Sequence, residues 1–359
     1  MKIFQLLPTI SFGDAVGNDT LALESVIRSM GYETSIFAEN IDQRLKKGTA
    51  QPFSSMPSLS DKDILIYHGS TGTKLNELLP GLGGRKMMIY HNITPAHFFQ
   101  PYSDAAANLT GQGLQQFERL AGALDYCIAD SAFNKQDLER MGYHCPIDVC
   151  PIVIPFADYE KKPNEQLLRR YEKDGVTTWL FTGRIAPNKK QEDVIRAFYY
   201  YHNYFNARSR LVFVGSWLGM EKCYERLCDY VALLELTDSV IFTGHIKFDE
   251  ILAYYTMADV FVCMSEHEGF CVPLVEAMFF GLPIVAYDSC AVPETLGEGG
   301  LLLKDKDPKQ AAAAIDALLN DKEALASMKA RQQTRLSALS YESVKERFAS
   351  LLTGFINGG

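Results

Sequence analysis

The sequence predicts an α/β protein with two Rossmann-like domains, and three observations support this. The chain has 359 residues, which is more than a single hydrophobic core usually organises. Residues 260–286 read as an apolar strand, a polar turn, a helix that Gly281 ends and a second apolar strand, which together form a βαβ unit. A similar series opens the chain, and the segment Ile147–Phe156, with two prolines, lies between the two series.

In the first domain, short apolar runs alternate with helical patterns. Lys2–Leu7 is predicted as the first strand and Pro8–Asn18 as a loop with two glycines. Asn18 or Asp19 is the predicted cap of the helix that follows. The other segments predicted here are strands at 34–38, 64–67, 86–90 and 126–129, and a helix at 112–123.

The second domain repeats the alternation of strand and helix. The charged stretch 160–175 is predicted as a helix, and the strands are predicted at 177–182, 210–214, 239–243, 260–264 and 283–286. The division that follows is an N-terminal domain over 1–155, a C-terminal domain over 156–340 and a last helix within 341–359.

Composition and charge exclude several classes of function. The net charge of −9 argues against nucleic acid as the main partner. No apolar run reaches the roughly 18 residues of a membrane span, and the start of the chain lacks the apolar core of a signal peptide. None of the eight cysteines forms C-x-x-C or has zinc spacing, which indicates a reducing, cytoplasmic setting.

Two glutamates frame the turn of the βαβ unit, in the stretch S-E-H-E-G-F-C-V-P-L-V-E. Ligands of open α/β sheets bind outside the carboxyl ends of the strands, and a helix that starts at Pro273 offers its N-terminus to a phosphate. Because carboxylates repel phosphate, we expect Glu268 and Glu276 to bind hydroxyls of a sugar and a ribose. The alternative is that Glu268 is a helix-capping acid and Glu276 belongs to a solvated face.

A second motif follows the strand at 177–182 and reads G-R-I-A-P-N-K-K. Arg184 can bind a phosphate with two hydrogen bonds, and Lys189 adds a point charge near a helix predicted to begin at Asn188. The alternative is a basic helix start, which the helix dipole would disfavour. The pattern therefore favours an anionic ligand.

The stretch E-G-F-C-V-P-L-V-E-A-M-F-F-G-L-P-I-V-A closely resembles the E-x7-E signature of family 4 glycosyltransferases, the retaining enzymes of glycosyl transferases group 1 with the GT-B fold. The G-R-I-A-P-N-K-K motif resembles the diphosphate clamp of that family. The resemblance covers the second domain almost completely and is loose in the first. It implies an acceptor domain and a nucleotide-sugar donor domain that face each other across a cleft, with the last helix crossing back to the first domain.

The resemblance also implies a role for each candidate residue. Arg184 and Lys189 would bind the diphosphate, Glu276 the ribose, and Glu268 the donor sugar, while His91 would reach the sugar from the first domain. His91 is preferred over His68 because Y-H-N-I-T-P resembles the family's segment after that strand. Gly13 and Gly17 belong equally well to an ordinary βα turn. The donor-binding residues implied are Gly13, Gly17, Gly183, Gly215, His245, Ile246, Gly269, Phe270, Cys271, Val272 and Glu276.

The function that the resemblance implies is transfer of a hexose, with mannose favoured, to a glycan or lipid-linked acceptor in surface-polysaccharide or glycoconjugate synthesis. GDP-mannose is the favoured donor and a UDP-hexose the next candidate. No cofactor and no metal are expected, since no stretch looks like the D-x-D metal site of GT-A enzymes and the family that the chain resembles is generally metal-independent. The alternatives are a nucleotide-sugar 2-epimerase and a non-catalytic nucleotide-sugar-binding subunit. The expected location is the cytoplasm, with contact at the inner face of the membrane left open.

Overall fold

The computed structural model describes residues 1–11, 13–171 and 174–358. The chain divides into two compact units, each with its own parallel sheet. The first unit comprises Met1–His97, Ala105–Pro155 and Ala338–Gly359, and the second comprises Phe98–Asp104 and Phe156–Ser337.

The first sheet has seven parallel strands in the order β3-β2-β1-β4-β5-β6-β7. These strands are β1 Lys2–Ile10, β2 Glu33–Ile41, β3 Gln51–Pro52, β4 Ile64–Gly69, β5 Arg85–Tyr90, β6 Tyr126–Ala129 and β7 Ile147–Val149. The helices along this part of the chain are α1 Ala15–Ser29, α2 Lys74–Leu78, α3 Ala96–Phe99, α4 Asp104–Leu120 and α5 Ala132–Arg140.

Both faces of the first sheet are covered, so its central strands β1 and β4 are buried at consecutive positions rather than at alternate ones. In β4, Ile64 and Ile66 point to one core cluster, while Leu65 and Tyr67 point to the other. The last helix, Tyr341–Asn357, packs Val344 and three further apolar side chains, Phe348, Leu352 and Phe355, into the cluster of Ile64. The predicted return of the last helix to the first domain is therefore confirmed.

The second sheet has six parallel strands in the order β10-β9-β8-β11-β12-β13. The strands are β8 Thr177–Thr182, β9 Ser209–Val214, β10 Val240–Phe242, β11 Val260–Cys263, β12 Ile284–Tyr287 and β13 Leu301–Leu303. The helices are α6 Glu165–Tyr171, α7 Gln191–Tyr204, α8 Glu221–Leu233, α9 Phe248–Met257, α10 Val272–Phe279, α11 Val292–Leu296, α12 Pro308–Asn320, α13 Lys322–Ala338 and, in the first unit, α14 Tyr341–Asn357. Of the helix predicted at 160–175, Glu172 and Lys173 lie outside the described residues.

Both sheets have the strand order of Rossmann-like folds, which confirms the predicted fold class. In such sheets the strand order reverses at a switch point, and the crevice for ligands lies there, outside the carboxyl ends of the strands. The switch point lies between β1 and β4 in the first unit and between β8 and β11 in the second. The two predicted motifs of the second unit follow β8 and β11, and His91 follows β5, which is the neighbour of β4 in the first sheet.

Several local predictions were wrong, among them the start of the helix predicted at 112–123, which begins at Asp104. The loop predicted at Pro8–Asn18 is shorter, because β1 continues to Ile10 and α1 already begins at Ala15. The cap of α1 is Asp14, whose carboxylate accepts the N–H of Gly17 at 3.2 Å, and neither Asn18 nor Asp19 is the cap. The helix predicted near Asn188 begins at Gln191, after a single 3-10 turn over Pro187–Lys189.

Candidate active site

The two motifs of the second unit meet at its switch point. Gly183 and Arg184 follow β8, and the loop from Ser265 to Glu268 follows β11, its neighbour in the sheet. The two loops are joined through Asn188, whose side chain donates to the carbonyl of His267 at 2.9 Å and whose own carbonyl accepts the N–H of Glu266 at 2.8 Å. The backbone that carries both predicted motifs is therefore held together by direct hydrogen bonds.

Lys189 and Glu268 form a close ion pair at this point. The Lys189 ammonium donates to both carboxylate oxygens of Glu268, at 2.6 and 2.8 Å. The side chains are 21% and 8% exposed, so the pair is largely shielded from water while the ammonium keeps some access to solvent. Burial lowers the pKa of Lys189, but the charge and hydrogen bonds of Glu268 outweigh burial and leave that pKa raised. The lysine is therefore a fixed cation.

The position of Lys189 follows from the turn that precedes α7. Lys190 adopts a left-handed conformation with φ of 52° and caps α7 without a side-chain hydrogen bond. Lys189 thus lies before the helix, and the first turn of α7 carries the acids Glu192 and Asp193. The alternative of a basic helix start is wrong, because the lysine points to Glu268 instead of lying on the helix.

Glu276 is held by two tyrosines. Its carboxylate accepts the hydroxyl of Tyr159 at 2.8 Å on one oxygen and the hydroxyl of Tyr255 at 2.6 Å on the other. Burial raises the pKa of Glu276, and the two hydroxyl hydrogen bonds oppose that shift. Each oxygen keeps a further lone pair, so the carboxylate can accept hydrogen bonds from two more hydroxyls.

The N-terminus of α10 lies between the two glutamates. The helix begins at Val272, so Pro273 is its second residue and not its first, as the sequence had suggested. Its cap is Cys271, in a left-handed conformation with φ of 73° and with no capping hydrogen bond from its side chain, which rules out Glu268 as the capping acid. The first turn of α10 has no acidic side chain. The positive end of its dipole is therefore not neutralised within that turn.

Gly183 and Gly215 lie where two strand ends come closest. A Cβ on Gly215 would lie 1.9 Å from the carbonyl oxygen of Gly183, so only glycine fits there. Arg184 follows directly, is exposed, and has its backbone carbonyl fixed by the side-chain amide of Gln191 at 3.0 Å. The close approach of the strands thus sets where the arginine leaves the sheet.

A cavity of about 410 Å³ opens beside Gly215 and is lined in part by Trp217, Gly244 and His245. The ring of Trp217 stacks on Tyr224 with 4.0 Å between the ring centroids and an angle of 4° between the planes. Trp217 thus contributes an aromatic side chain to the cavity, which the sequence did not single out. His245 lines the cavity and is exposed, whereas Ile246 is half-buried and is not among the lining residues.

In the first unit, His91 belongs to a continuous linear chain of hydrogen bonds. Its Nδ1 lies 2.9 Å from Asp130 and its Nε2 lies 3.0 Å from His68 Nδ1, while His68 Nε2 lies 2.9 Å from the Gln5 carbonyl oxygen. The Gln5 amide nitrogen donates to the carbonyl of Thr20, so its oxygen must accept from His68. Neutral His68 then accepts at Nδ1, and His91 must donate from Nε2.

The charges around His91 follow from this chain. Burial lowers the pKa of His91, but the charge and hydrogen bond of Asp130, with the charge of Asp19, outweigh burial and leave that pKa raised. Burial holds the pKa of His68 well below its usual value. Burial also raises the pKa of Asp19 to about 7, and Asp19 accepts the N–H of Val153 at 2.8 Å. The acidic groups of Asp130 and Asp19 thus favour the protonated form of His91, whose side chain is 2% exposed.

The glycines predicted for the donor site in the first unit have different surroundings. Gly17 is buried in the first turn of α1, where a Cβ would lie 2.9 Å from the carbonyl oxygen of Ser11. Gly13 is exposed with φ of 74° and has nothing within 4 Å of the position of a Cβ. Phe12 of this loop lies outside the described residues. Gly17 thus has a packing reason to be glycine, and Gly13 a conformational one.

The structure therefore brings together Gly183, Lys189, Glu268, Cys271 and Glu276 around one switch point. Sequence reasoning missed the side chains that hold the predicted ones, namely Tyr159, Tyr255, Asp19, Asp130 and Gln5. No spacing signal could have found these residues, because each is at least 21 positions from its partner along the chain.

Comparison with known proteins identifies the class of the second unit. The family model described as glycosyl transferases group 1 matches residues 164–335, which make up most of the second unit. This segment is thus of the group 1 type, and the strand order of both sheets agrees with the GT-B fold, as the resemblance implied.

Particular relatives share limited identity with the chain. A D-inositol 3-phosphate glycosyltransferase of Acidothermus cellulolyticus is 33% identical over 147 residues, 39% of this chain and 33% of that protein. A GDP-mannose-dependent alpha-mannosyltransferase of Mycolicibacterium smegmatis is 33% identical over 128 residues, 35% of this chain and 29% of that protein. The matched segments thus span about a third of these curated relatives.

Among solved structures, HepE of Anabaena in complex with UDP-glucose is similar over nearly the whole chain. The TM-score is 0.76 at 17% sequence identity, covering 99% of this chain and 100% of that one. At this identity the likeness concerns the fold. Among the residues that the structure describes, no helix has the length and apolar character needed to cross a bilayer.

Proposed function

We propose that the protein is a retaining glycosyltransferase that moves a hexose from a nucleotide diphosphate sugar to a glycan or lipid-linked acceptor. The observation that carries this proposal is the arrangement at the switch point of the second unit. A fixed cation, a helix N-terminus whose first turn has no acidic side chain and two carboxylates with spare lone pairs all lie there. These groups match the diphosphate and the hydroxyls of a nucleotide sugar.

The cations would stabilise the leaving diphosphate. An ammonium has three N–H donors, and Glu268 accepts two hydrogen bonds from Lys189, so the third can go to a phosphate oxygen. Arg184 would add two parallel donors, and the dipole of α10 would add positive potential. Negative charge grows on the diphosphate as the bond to the sugar breaks, so these groups would stabilise the transition state more than the bound donor.

The carboxylates would position the donor. Glu276, already fixed by Tyr159 and Tyr255, would accept the ribose hydroxyls on its remaining lone pairs. Glu268, fixed by Lys189, would accept sugar hydroxyls together with the backbone amides of Gly269–Val272. Glu268 is not proposed as a covalent nucleophile. In this mechanism the leaving phosphate takes the acceptor proton on the same face of the sugar.

His91, in the first unit, would contribute by holding its own backbone in place and not through its ring nitrogens. Both of its ring nitrogens are engaged with His68 and Asp130, so the ring itself has no donor left for a sugar. The backbone of His91 is less buried than its ring, whose side chain is 2% exposed. We therefore propose that the hydrogen-bonded ring fixes the backbone at the end of β5, where the substrate would contact it.

The donor is proposed to be GDP-mannose, with a UDP-hexose as the second candidate. A relative named as a GDP-mannose-dependent alpha-mannosyltransferase supports the first, and a structural neighbour in complex with UDP-glucose supports the second. The cavity beside Trp217 would take the base, against the aromatic wall. The proposed setting is surface-polysaccharide or glycoconjugate synthesis in the cytoplasm, without a metal or cofactor.

A screen of sugar nucleotides tests this function. Thermal unfolding is measured with GDP-mannose, UDP-glucose and the corresponding ADP and dTDP sugars, because a true donor raises the melting temperature by mass action. Mass spectrometry of the best binder incubated with candidate lipid-linked glycans should show a product heavier by one hexose. Conversion of the sugar nucleotide into its 2-epimer would identify an epimerase, and binding without any conversion would identify a non-catalytic subunit.

A further inference from the structure

Two cysteines and a glutamate of the second unit converge in one buried cluster. Cys263 ends β11, Glu268 lies in the following loop and Cys271 caps α10. One donor atom from each residue, the two sulfurs and a carboxylate oxygen, lie within 4.8 Å of one another. All three residues are buried, with 2, 7 and 6% exposure in chain order. We propose that these residues form a binding site for a thiophilic divalent cation, Zn²⁺ or Cd²⁺.

The two sulfur atoms and the carboxylate oxygen determine which metal ions the cluster prefers. Thiolates prefer zinc, cadmium and other soft cations, while magnesium and calcium prefer oxygen ligands. Bond lengths of about 2.3 Å to sulfur and about 2.1 Å to oxygen place tetrahedral donors about 3.6–3.8 Å apart. The observed separations reach that range with movements of about 1 Å. Metal binding would replace the hydrogen bond between the thiols of Cys263 and Cys271 and the bond from Cys263 to the Ser265 hydroxyl at 3.3 Å.

The charge of the cluster also balances. One divalent cation replaces two thiol protons, which leave to solvent, so two thiolates and one carboxylate face the metal. Together with the ammonium of Lys189, the site has the same net charge before and after binding. The Lys189 side chain, 21% exposed, marks the side from which the cluster meets solvent.

A comparable cluster in the first unit does not have this capacity. Asp19, His68 and His91 also offer three donor atoms within 4.8 Å of one another. However, the facing nitrogens of His68 and His91 are 3.0 Å apart in a direct hydrogen bond, which leaves no room for a metal between them. The other histidine nitrogens are bonded to Gln5 and Asp130.

Occupation of the site would inhibit transfer, an effect that rests on the proposed function. A metal bound to Glu268 takes the lone pairs proposed for the donor sugar and draws the carboxylate from Lys189. The metal would thus act as an inhibitor and not as a cofactor. Chelation would then restore transfer to a metal-treated enzyme.

Cadmium titration tests the site without reference to activity. The full chain is titrated with Cd²⁺ under reducing conditions, and the ultraviolet absorption of sulfur-to-cadmium charge transfer is recorded. We expect saturation at one cadmium per chain, with loss of that absorption in Cys263→Ser and separately in Cys271→Ser. Glu268→Gln keeps both thiols and should weaken cadmium binding at least tenfold, so it covers the case in which a cysteine variant does not fold.

The chain provides a matched control in its other close thiol pair. The sulfurs of Cys127 and Cys145 in the first unit lie 3.6 Å apart, and within the described part of the chain no carboxylate or histidine joins them in a close group of three donor atoms. The double variant Cys127→Ser/Cys145→Ser should keep the absorption. Its loss in that variant, or its persistence in Cys271→Ser, would overturn the proposed site. Cadmium binding without any detectable glycosyl transfer would instead count against the proposed function alone.

Discussion

The two units hold their buried charges in different ways. In the first, His91 lies in a linear chain of hydrogen bonds that runs from Gln5 through His68 to Asp130. The side chains of His91 and Asp130 are each 2% exposed. In the second, Lys189 pairs with Glu268, and the lysine side chain is 21% exposed. The first arrangement leaves its histidines without a ring nitrogen for a ligand, whereas the second keeps a spare donor and spare lone pairs.

The difference indicates a structural role for the buried charges of the first unit and a ligand-binding role for those of the second. A buried charge is tolerated when hydrogen bonds and an opposite charge compensate its desolvation, and both clusters meet that condition. The cluster of the second unit also lies beside the N-terminus of α10, whose first turn has no acidic side chain. We therefore propose that the second unit binds the anionic donor and that the histidine chain has a positioning role.

The largest expected effect is that of Lys189→Ala. The change removes the cation proposed to stabilise the leaving diphosphate, so kcat should fall about 100- to 1,000-fold, with a smaller change in donor affinity. Steady-state kinetics measures both. Lys190→Ala is the matched control, since Lys190 pairs with Glu192 and Glu266 instead. Weaker donor binding with unchanged turnover at saturation would make Lys189 a ground-state binder.

Glu276→Ala should weaken nucleotide binding and leave the fold intact. Loss of charge-assisted hydrogen bonds to the ribose costs about 1.5–3 kcal/mol, a factor of about 10 to 150 in affinity. Calorimetric titration with nucleotide diphosphate measures this, and Glu225→Ala on the exposed side of α8 is the control. Equal affinity in wild type and Glu276→Ala would remove the ribose role.

Asp19→Asn should change how stability depends on pH. The pKa of folded Asp19 is about 7, above the roughly 3.9 of an unfolded aspartate, so the folded state binds the extra proton between about pH 4 and 7. The unfolding free energy of the wild type therefore falls with rising pH in this window, by up to about 1.4 kcal/mol per pH unit from this group. Asparagine keeps an oxygen to accept the Val153 N–H.

Denaturant unfolding of both proteins across pH 4–8 tests this. The stability of the wild type minus that of Asp19→Asn should decline up to about pH 7 and then stay level. A difference that is constant throughout would show that the buried carboxylate does not titrate in this range.

The smallest expected effect is that of chelation. Because Arg184, Lys189 and the N-terminus of α10 are proposed to supply the positive charge, we expect transfer by the metal-free enzyme to stay within about twofold of the starting rate in EDTA. Complete loss that Mg²⁺ or Mn²⁺ restores would contradict the proposed mechanism.

The sequence predicted the second unit better than the first for a physical reason. Glu268 and Glu276 lie on one strand–turn–helix segment, so their proximity follows from local geometry. Lys189 and Glu268 come from different loops, but both loops follow strands that are neighbours in the sheet, and strand order predicts their meeting. Such contacts are encoded in short motifs.

The side chains that hold the predicted site residues are brought there by tertiary packing, and no short sequence motif indicates them. Tyr159 reaches Glu276 across 117 positions, and Asp19 reaches Val153 across 134. The starts of two helices were misplaced by a few residues, because α1 already begins after Asp14 and a 3-10 turn delays the start of α7 to the residue after Lys190. Lys190 in particular adopts a left-handed conformation that no residue preference would suggest.

Hydrogen exchange with and without sugar nucleotide tests the central claim most directly, namely that the donor binds at the switch point of the second unit. Exchange of backbone amides is followed by mass spectrometry with GDP-mannose and with UDP-glucose in excess. The account predicts slower exchange in the peptides that contain 183–190 and 265–276, for at least one of the two donors. Protection confined to other segments, with these two unchanged under saturating donor, would contradict it.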